Sequence, residues 1–164
     1  NPEYEDKRGI LVKIFHAKFF AEKNFSVVFR ESFYSISKKN VIRGMHYQTP
    51  PSDHDKLVHV LNGEVLDVVL DVRNESSQKG CYDSFILSDK KRYSVYIPKG
   101  FAHGFRVLSK TATMLYFTTK EHDPKHDSGI RWDSFGFDWG ISNPVISEKD
   151  QSLSPFDPLG LYFD

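Results

Sequence analysis

Apolar residues recur at every second position over most of the chain up to Thr119, the period of a strand with one buried face. The clearest run is "KLVHVLNGEVLDVVLDV" at 56–72, where two alternating segments meet at Asn62-Gly63. That dipeptide suits a type I′ turn, whose central residues both need positive φ, so the run predicts a β-hairpin. Further strands are predicted at "FSVVFRESFYSIS" (25–37), "VIRGMHYQTP" (41–50, broken by its proline) and "YDSFILS" (82–88). Three more follow at "RYSVYIP" (92–98), "AHGFRVL" (102–108) and "ATMLYFTT" (112–119). Only "HAKFFAEKN" (16–24) reads as helix. Beyond Thr119 the text turns to loops rich in Asp, Pro, Gly and Trp, closing on "PFDPLGLYFD". Short strands between turn residues indicate an all-β antiparallel sandwich or barrel. With no internal repeat and no low-complexity linker, residues 1–164 read as one domain.

Composition narrows the partners. Aromatic residues make up 15% of the chain, with 14 Phe and 8 Tyr, which suits pleated sheets. Lys+Arg and Asp+Glu both number 22, so no basic excess draws in nucleic acid or an anionic membrane. An anionic ligand must instead be gripped by a few placed cations. The single cysteine, Cys81, allows no internal disulfide and reads as an ordinary thiol. No apolar run approaches the roughly 18 residues of a membrane span, and the first residues do not resemble a secretory signal. The expected setting is the cytoplasm.

Candidate chemistry lies in polar residues embedded in these strands, because inward side chains converge in the mouth of a small barrel. "VIRGMHYQ" presents Arg43, His46 and Tyr47 directly after a β-branched pair. Lys56 shares parity with Val58 and Val60 and so points inward, where lost hydration lowers a lysine pKa unless an anion compensates. His59 has the opposite parity and reads as structural, while His54 and His126 read as exposed loop histidines. At "IPKGFAHGF" (97–105), Pro-x-Gly-x-x-His after a strand resembles the second motif of the cupin superfamily, whose fold is a double-stranded β-helix barrel. Metal-binding cupins pair it with two closely spaced histidines and a glutamate. Here His46 has no such neighbour, and Lys56 stands where an acidic ligand is needed. A cation repels a metal, so no metal site is expected.

Six fragments in order, "VIRGMHYQ", "DKLVHVLNGEVLDVVLDVR", "YIPKGFAHGF", "LYFTT", "DSGIRWDSFGFDW" and "ISEKD", resemble the dTDP-4-dehydrorhamnose 3,5-epimerase (RmlC) family. The resemblance runs from "DKRG" to "ISEKD". It implies a cupin-type jelly roll with short peripheral helices, assembled as a homodimer. It also implies an isomerase that inverts C3, C5 or both of a nucleotide-linked 4-keto-6-deoxy sugar, with no cofactor. Such chemistry needs a base for the acidic C–H beside the ketone, a stabiliser for the enolate and an acid on the opposite face. By resemblance His46 is the base, steadied by Asp150. Lys56 lies near the 4-keto oxygen, where a cation stabilises the enolate more than the ketone. Tyr116 is the matching acid. Arg43 resembles the arginine that meets the diphosphate, and Arg8 resembles one that contacts the nucleotide from the partner subunit. His103, Asp127 and Lys149 fall at substrate-binding positions of the family.

Three departures bear on specificity. Glu31-Ser32-Phe33 replaces the Gln-x-Asn usual in the dTDP-specific enzymes, and Lys13 replaces a glutamate. Both positions serve the base or its ribose. Glu31 is suited to an exocyclic amine, as on cytosine or guanine, or equally to pairing with Lys13. His122 stands where many members carry a tyrosine beside the sugar. The substrate expected first is dTDP-4-keto-6-deoxyglucose, with a CDP- or GDP-linked 4-keto sugar as the alternative. A non-catalytic sugar-binding cupin is the reading from another class. His46, Lys56, Tyr116 and Asp150 together argue against it, since binding alone needs no base and acid.

Overall fold

The alternating segments fold into two antiparallel sheets whose apolar faces meet. The computed structural model describes residues 1–25 and 27–163. Ser26 of the predicted 25–37 strand and Asp164 of the closing loop lie outside the described residues. After a peripheral hairpin, β1 (Glu3–Asp6) and β2 (Gly9–Val12), comes one short helix, α1 (Ala17–Glu22). The main strands follow as β3 (Glu31–Lys38), β4 (Ile42–Gln48), β5 (Lys56–Asn62), β6 (Glu64–Asp71), β7 (Tyr82–Ser88), β8 (Ser94–Ile97), β9 (Phe101–Val107) and β10 (Thr111–Thr118). A three-residue strand β11 (Asp127–Gly129) and a single-turn helix α2 (Glu148–Gln151) complete the set.

One sheet has the order β3-β10-β5-β8 and the other β11-β4-β9-β6-β7. From β3 to β10 every step but β6 to β7 therefore crosses from sheet to sheet, as in a jelly roll, the cupin-type fold that the sequence predicts. Val58, Val60, Met114 and Ala112 of one sheet pack against Val65, Phe105 and Val107 of the other and close one end of the sandwich. At the opposite end the same strands carry polar residues: Lys56 on β5, Thr118 on β10 and His103 on β9.

Two predictions are corrected here. The 25–37 strand begins only at Glu31, with no strand assigned to residues 27–30. More consequentially, β5 and β6 do not form a hairpin, because they belong to different sheets. Only Gly63 of the Asn62-Gly63 pair has positive φ, +85°, so the turn is not type I′. The Gly63 N–H donates to Asp89 Oδ2 at 3.0 Å and the Asp89 N–H to the Gly63 carbonyl, anchoring the corner to a loop beyond β7. A Cβ on Gly63 would stand 2.2 Å from the Thr111 carbonyl oxygen, so glycine is required on two counts.

The outer faces are covered unequally. Residues 130–163, read from sequence as loops, bring Trp132, Phe135, Phe137, Trp139 and Phe156 onto Ile42, Val68 and Leu70 as a second core. On the other sheet Leu57 and His59 are buried near an aromatic cluster of Phe20, Phe25 and Tyr96 around α1. The structural reading of His59 holds: its Nδ1 lies 3.1 Å from the Tyr93 carbonyl.

Candidate active site

The Arg43-Gly44-x-His46 segment sits where β4 shifts register against β9, bringing His46 opposite His103. Gly44 has φ +126°, and a Cβ there would meet Gly104 Cα at 2.5 Å. Glycine thus lets two central strands touch and frees the Gly44 N–H, which donates to Asp150 Oδ2 at 3.1 Å. Asp150 is delivered by α2, whose N-cap Ser147 accepts the Asp150 N–H through Oγ. Its Oδ1 lies 2.8 Å from His46 Nε2. Burial pushes the Asp150 carboxyl up, but His46, the Gly44 N–H and the Ser147 hydroxyl together hold it below the usual carboxylate range. An ionised carboxylate accepts only, so the Nε2 proton belongs to His46. Its Nδ1, which has no hydrogen bond among the described residues, remains free as a base.

His46 opens on a cavity of about 410 Å³ between the sheets. The facing wall carries Lys56 and Tyr116, brought together because β5 and β10 pair Val58 with Tyr116 and Lys56 with Thr118. Lys56 Nζ donates to the His46 carbonyl at 3.1 Å. Burial draws its pKa down to about 8, against a smaller upward pull from Asp127. The Tyr116 ring stacks on Phe33, with centroids 4.6 Å apart and planes 13° off parallel. Burial and, to a lesser degree, the Asp67 charge raise the Tyr116 phenol, with Ser35 and Arg43 acting the other way, so it stays protonated. His103 Nε2 lies 2.7 Å from Asp67 Oδ2 on neighbouring β6, both buried, making a second histidine–aspartate pair of which His103 lines the same cavity.

Charged and polar residues form the rim. Arg43 donates through Nε to Ser37 Oγ at 2.9 Å. Lys149 and Asp127 pair with each other across α2 and β11. Glu31 Oε2 accepts the backbone N–H of His122 at 2.9 Å, tying that loop to β3. Glu31 thus engages the His122 backbone, and among the described residues no ion pair joins it to Lys13.

Ten of the thirteen residues singled out from sequence line this cavity. Asp150 lies behind His46. Arg8 and Lys13 are elsewhere. Arg8, its side chain 90% exposed, pairs with Asp6 in the β1–β2 turn. Lys13 follows β2, with Nζ 5.4 Å from the centre of the Tyr4 ring. His54 is a correction: it is half-buried, lines the cavity and contacts Gln48 Nε2 at 3.0 Å, so it is no exposed loop histidine. His126, also half-buried, stays outside the cavity and contacts Thr49. Sequence reasoning missed His54 and Asp67, although parity held a signal for both. His54 matches Lys56, and Asp67 is an acid embedded between Val65 and Val69.

The chain is similar to known proteins in sequence and in fold. The family model described as dTDP-4-dehydrorhamnose 3,5-epimerase matches residues 1–157. A dTDP-4-dehydrorhamnose 3,5-epimerase of Methanothermobacter thermautotrophicus is 38% identical over 164 residues, covering 97% of this chain and 88% of that one. The crystal structure of the Bacillus anthracis dTDP-4-dehydrorhamnose 3,5-epimerase, with TDP and PPi bound, superposes with a TM-score of 0.92 at 29% identity, covering 94% of this chain and 90% of that one. The Legionella pneumophila dTDP-6-deoxy-D-glucose-3,5-epimerase, in complex with dTDP-4-keto-L-rhamnose, gives 0.89 at 37% identity, covering 94% and 84%.

Proposed function

The chain belongs to the dTDP-4-dehydrorhamnose 3,5-epimerase family, and from that premise we propose that it epimerises dTDP-4-keto-6-deoxyglucose at C3 and C5 by proton transfer through an enolate. One observation carries this reading: His46 and Tyr116 project from facing sheets across one cavity, with Lys56 beside them. Inversion requires a base on one face of a planar intermediate and an acid on the other, and the two sheets supply those faces.

His46 Nδ1 takes the C–H proton while Asp150 steadies the resulting imidazolium. Lys56 meets the negative charge that grows on the ketone oxygen. The Tyr116 phenol returns a proton from the opposite wall. One proton leaves and one arrives, so the reaction balances with no change of oxidation state. Arg43, whose terminal guanidinium nitrogens have no hydrogen bond among the described residues, suits the diphosphate. His103, Asp127 and Lys149 hold the sugar, and Glu31, Phe33 and His122 the nucleoside side of the cavity. Exposed Arg8 on its turn suits a contact from a second copy, so the working unit we infer is a cytoplasmic homodimer, with Lys13 near that boundary.

The test is proton NMR in deuterium oxide with dTDP-, CDP- and GDP-linked 4-keto-6-deoxy sugars. Deuterium entering C3 and C5 of the dTDP sugar, followed by inversion, is the expected result. Exchange with a CDP or GDP sugar alone would overturn the choice of base. No exchange with any of the three, from folded protein, would overturn the epimerase reading.

A further inference from the structure

His54 has a fixed proton that the chemistry above leaves unused, and the proton can be located from the Gln48 amide. Gln48 Oε1 accepts the Asp123 N–H at 2.7 Å, and Nε2 donates to the Ser52 carbonyl at 2.7 Å. One backbone donor and one backbone acceptor fix the orientation of the amide. Its other Nε2 proton has His54 Nδ1 at 3.0 Å, closer than the Glu121 carbonyl at 3.3 Å. An amide N–H can bond only a ring nitrogen that carries no proton. His54 Nδ1 is therefore the acceptor, and its 3.3 Å approach to the Ser52 carbonyl has no proton between. The neutral ring must carry its proton on Nε2, which has no hydrogen-bond partner among the described residues although the ring lines the cavity.

The surroundings favour that neutral form. Burial, and after it the Lys56 charge, push His54 down to about 4, against weaker upward pulls from the Ser52 carbonyl and Asp55. His54 stands two residues before Lys56, on the same inward parity. Lys56 spends one N–H on the His46 carbonyl and has no other hydrogen bond among the described residues. A second cation here would repel the first, whereas a neutral N–H adds a donor without that penalty.

We propose that His54 Nε2–H is a second, neutral hydrogen-bond donor to the ketone oxygen served by Lys56, so that an ammonium and an imidazole hold the enolate together. His54 transfers no proton; its N–H bond stays intact throughout. The proposal rests on the epimerase reading.

The experiment compares wild type with His54→Leu, which removes the donor, and His54→Gln, which retains an N–H. Turnover is measured on dTDP-4-keto-6-deoxyglucose, dTDP affinity by calorimetry, and the His54 ring nitrogens by 15N NMR. His54→Leu should lower kcat by about 100-fold, the low end for loss of one oxyanion donor, with KM and dTDP affinity within about threefold. His54→Gln should recover part of that loss. The wild-type ring should show a protonated Nε2 and bare Nδ1 from about pH 6 to 8, and its Nε2 signal should move when substrate is added. Turnover of His54→Leu within threefold of wild type, or a loss confined to KM, would overturn the proposal. So would a protonated Nδ1, or an Nε2 signal indifferent to substrate, and these two readouts still decide if the leucine variant fails to fold. An inert wild type would instead bring down the epimerase reading and this proposal with it.

Discussion

Replacing Asp150 by Asn should harm catalysis more than replacing it by Ala, although Asn is closer in shape. Asp150 accepts from His46 Nε2 at 2.8 Å and from the Gly44 N–H at 3.1 Å. In Asp150→Ala the imidazolium loses its counter-charge. With charge centres about 4 Å apart and an effective dielectric of about 20, that attraction is about 4 kcal/mol. His46 has a side chain 32% exposed, and solvent screening brings the figure to about 2.7 kcal/mol, or about a hundredfold in rate. Asn loses the same charge and adds a second fault. Its oxygen satisfies the Gly44 N–H only if its amide N–H faces His46 Nε2. The ring is then driven to carry its proton on Nδ1, the nitrogen that must be bare to act as base. Restoring the working tautomer sets donor against donor at Gly44, which costs about 1.5–3 kcal/mol. The expected losses are about 100-fold for Ala and about 10³- to 10⁴-fold for Asn. The assay is initial-rate deuterium incorporation at C3 and C5, with thermal melting to confirm folding and 15N shifts of His46 to read the tautomer. Asn equal to or faster than Ala, with both variants folded, would refute the tautomer argument.

Three other perturbations test separate parts of the site. Lys56 should lose its proton near pH 8 rather than at the ordinary lysine value of 10.5, because burial disfavours its charge. A required cation is present below that pKa and lost above it, so kcat/KM should fall as pH rises through about 8; a plateau to pH 10 would be the contrary result. Lys56→Met should abolish turnover at every pH, and activity near wild type would exclude the enolate role. Tyr116→Phe should still exchange protons, since His46 can return a deuteron to the face it came from, while inversion slows by at least about 100-fold; unchanged inversion would point to another acid. Gly44→Ala forces a Cβ to 2.5 Å from Gly104 Cα at φ +126°. A loss of at least about 3 kcal/mol is expected, lowering Tm by about 6–12 °C, and an unchanged melt would contradict the close approach.

Period-2 alternation made the strands legible because parity along one strand is a local property. The same rule gave Lys56 its inward orientation beside Val58 and Val60. The motifs "RGMH" and "PKGFAH" and their companions carried the family, and with it Asp150, which no spacing rule would have joined to His46. What parity cannot express is which strand lies next to which. Asn62-Gly63 has the composition of a tight hairpin, yet its flanking strands enter different sheets, with the Gly63 corner tied to Asp89 beyond β7. Loops after Thr119 carry no strand period, yet their aromatic residues cover the outer face of β4 and β6.

The sequence by itself determined strand content, the inward direction of Lys56 and the family. Tertiary structure alone decided the partners. His46 and Asp150 are 104 residues apart, and His103 and Asp67 are 36 apart. The proton on His54 follows from an amide held by backbone groups on two separate loops. A hydrogen bond depends on distance and direction between atoms, and neither exists until the sheets have closed around the cavity.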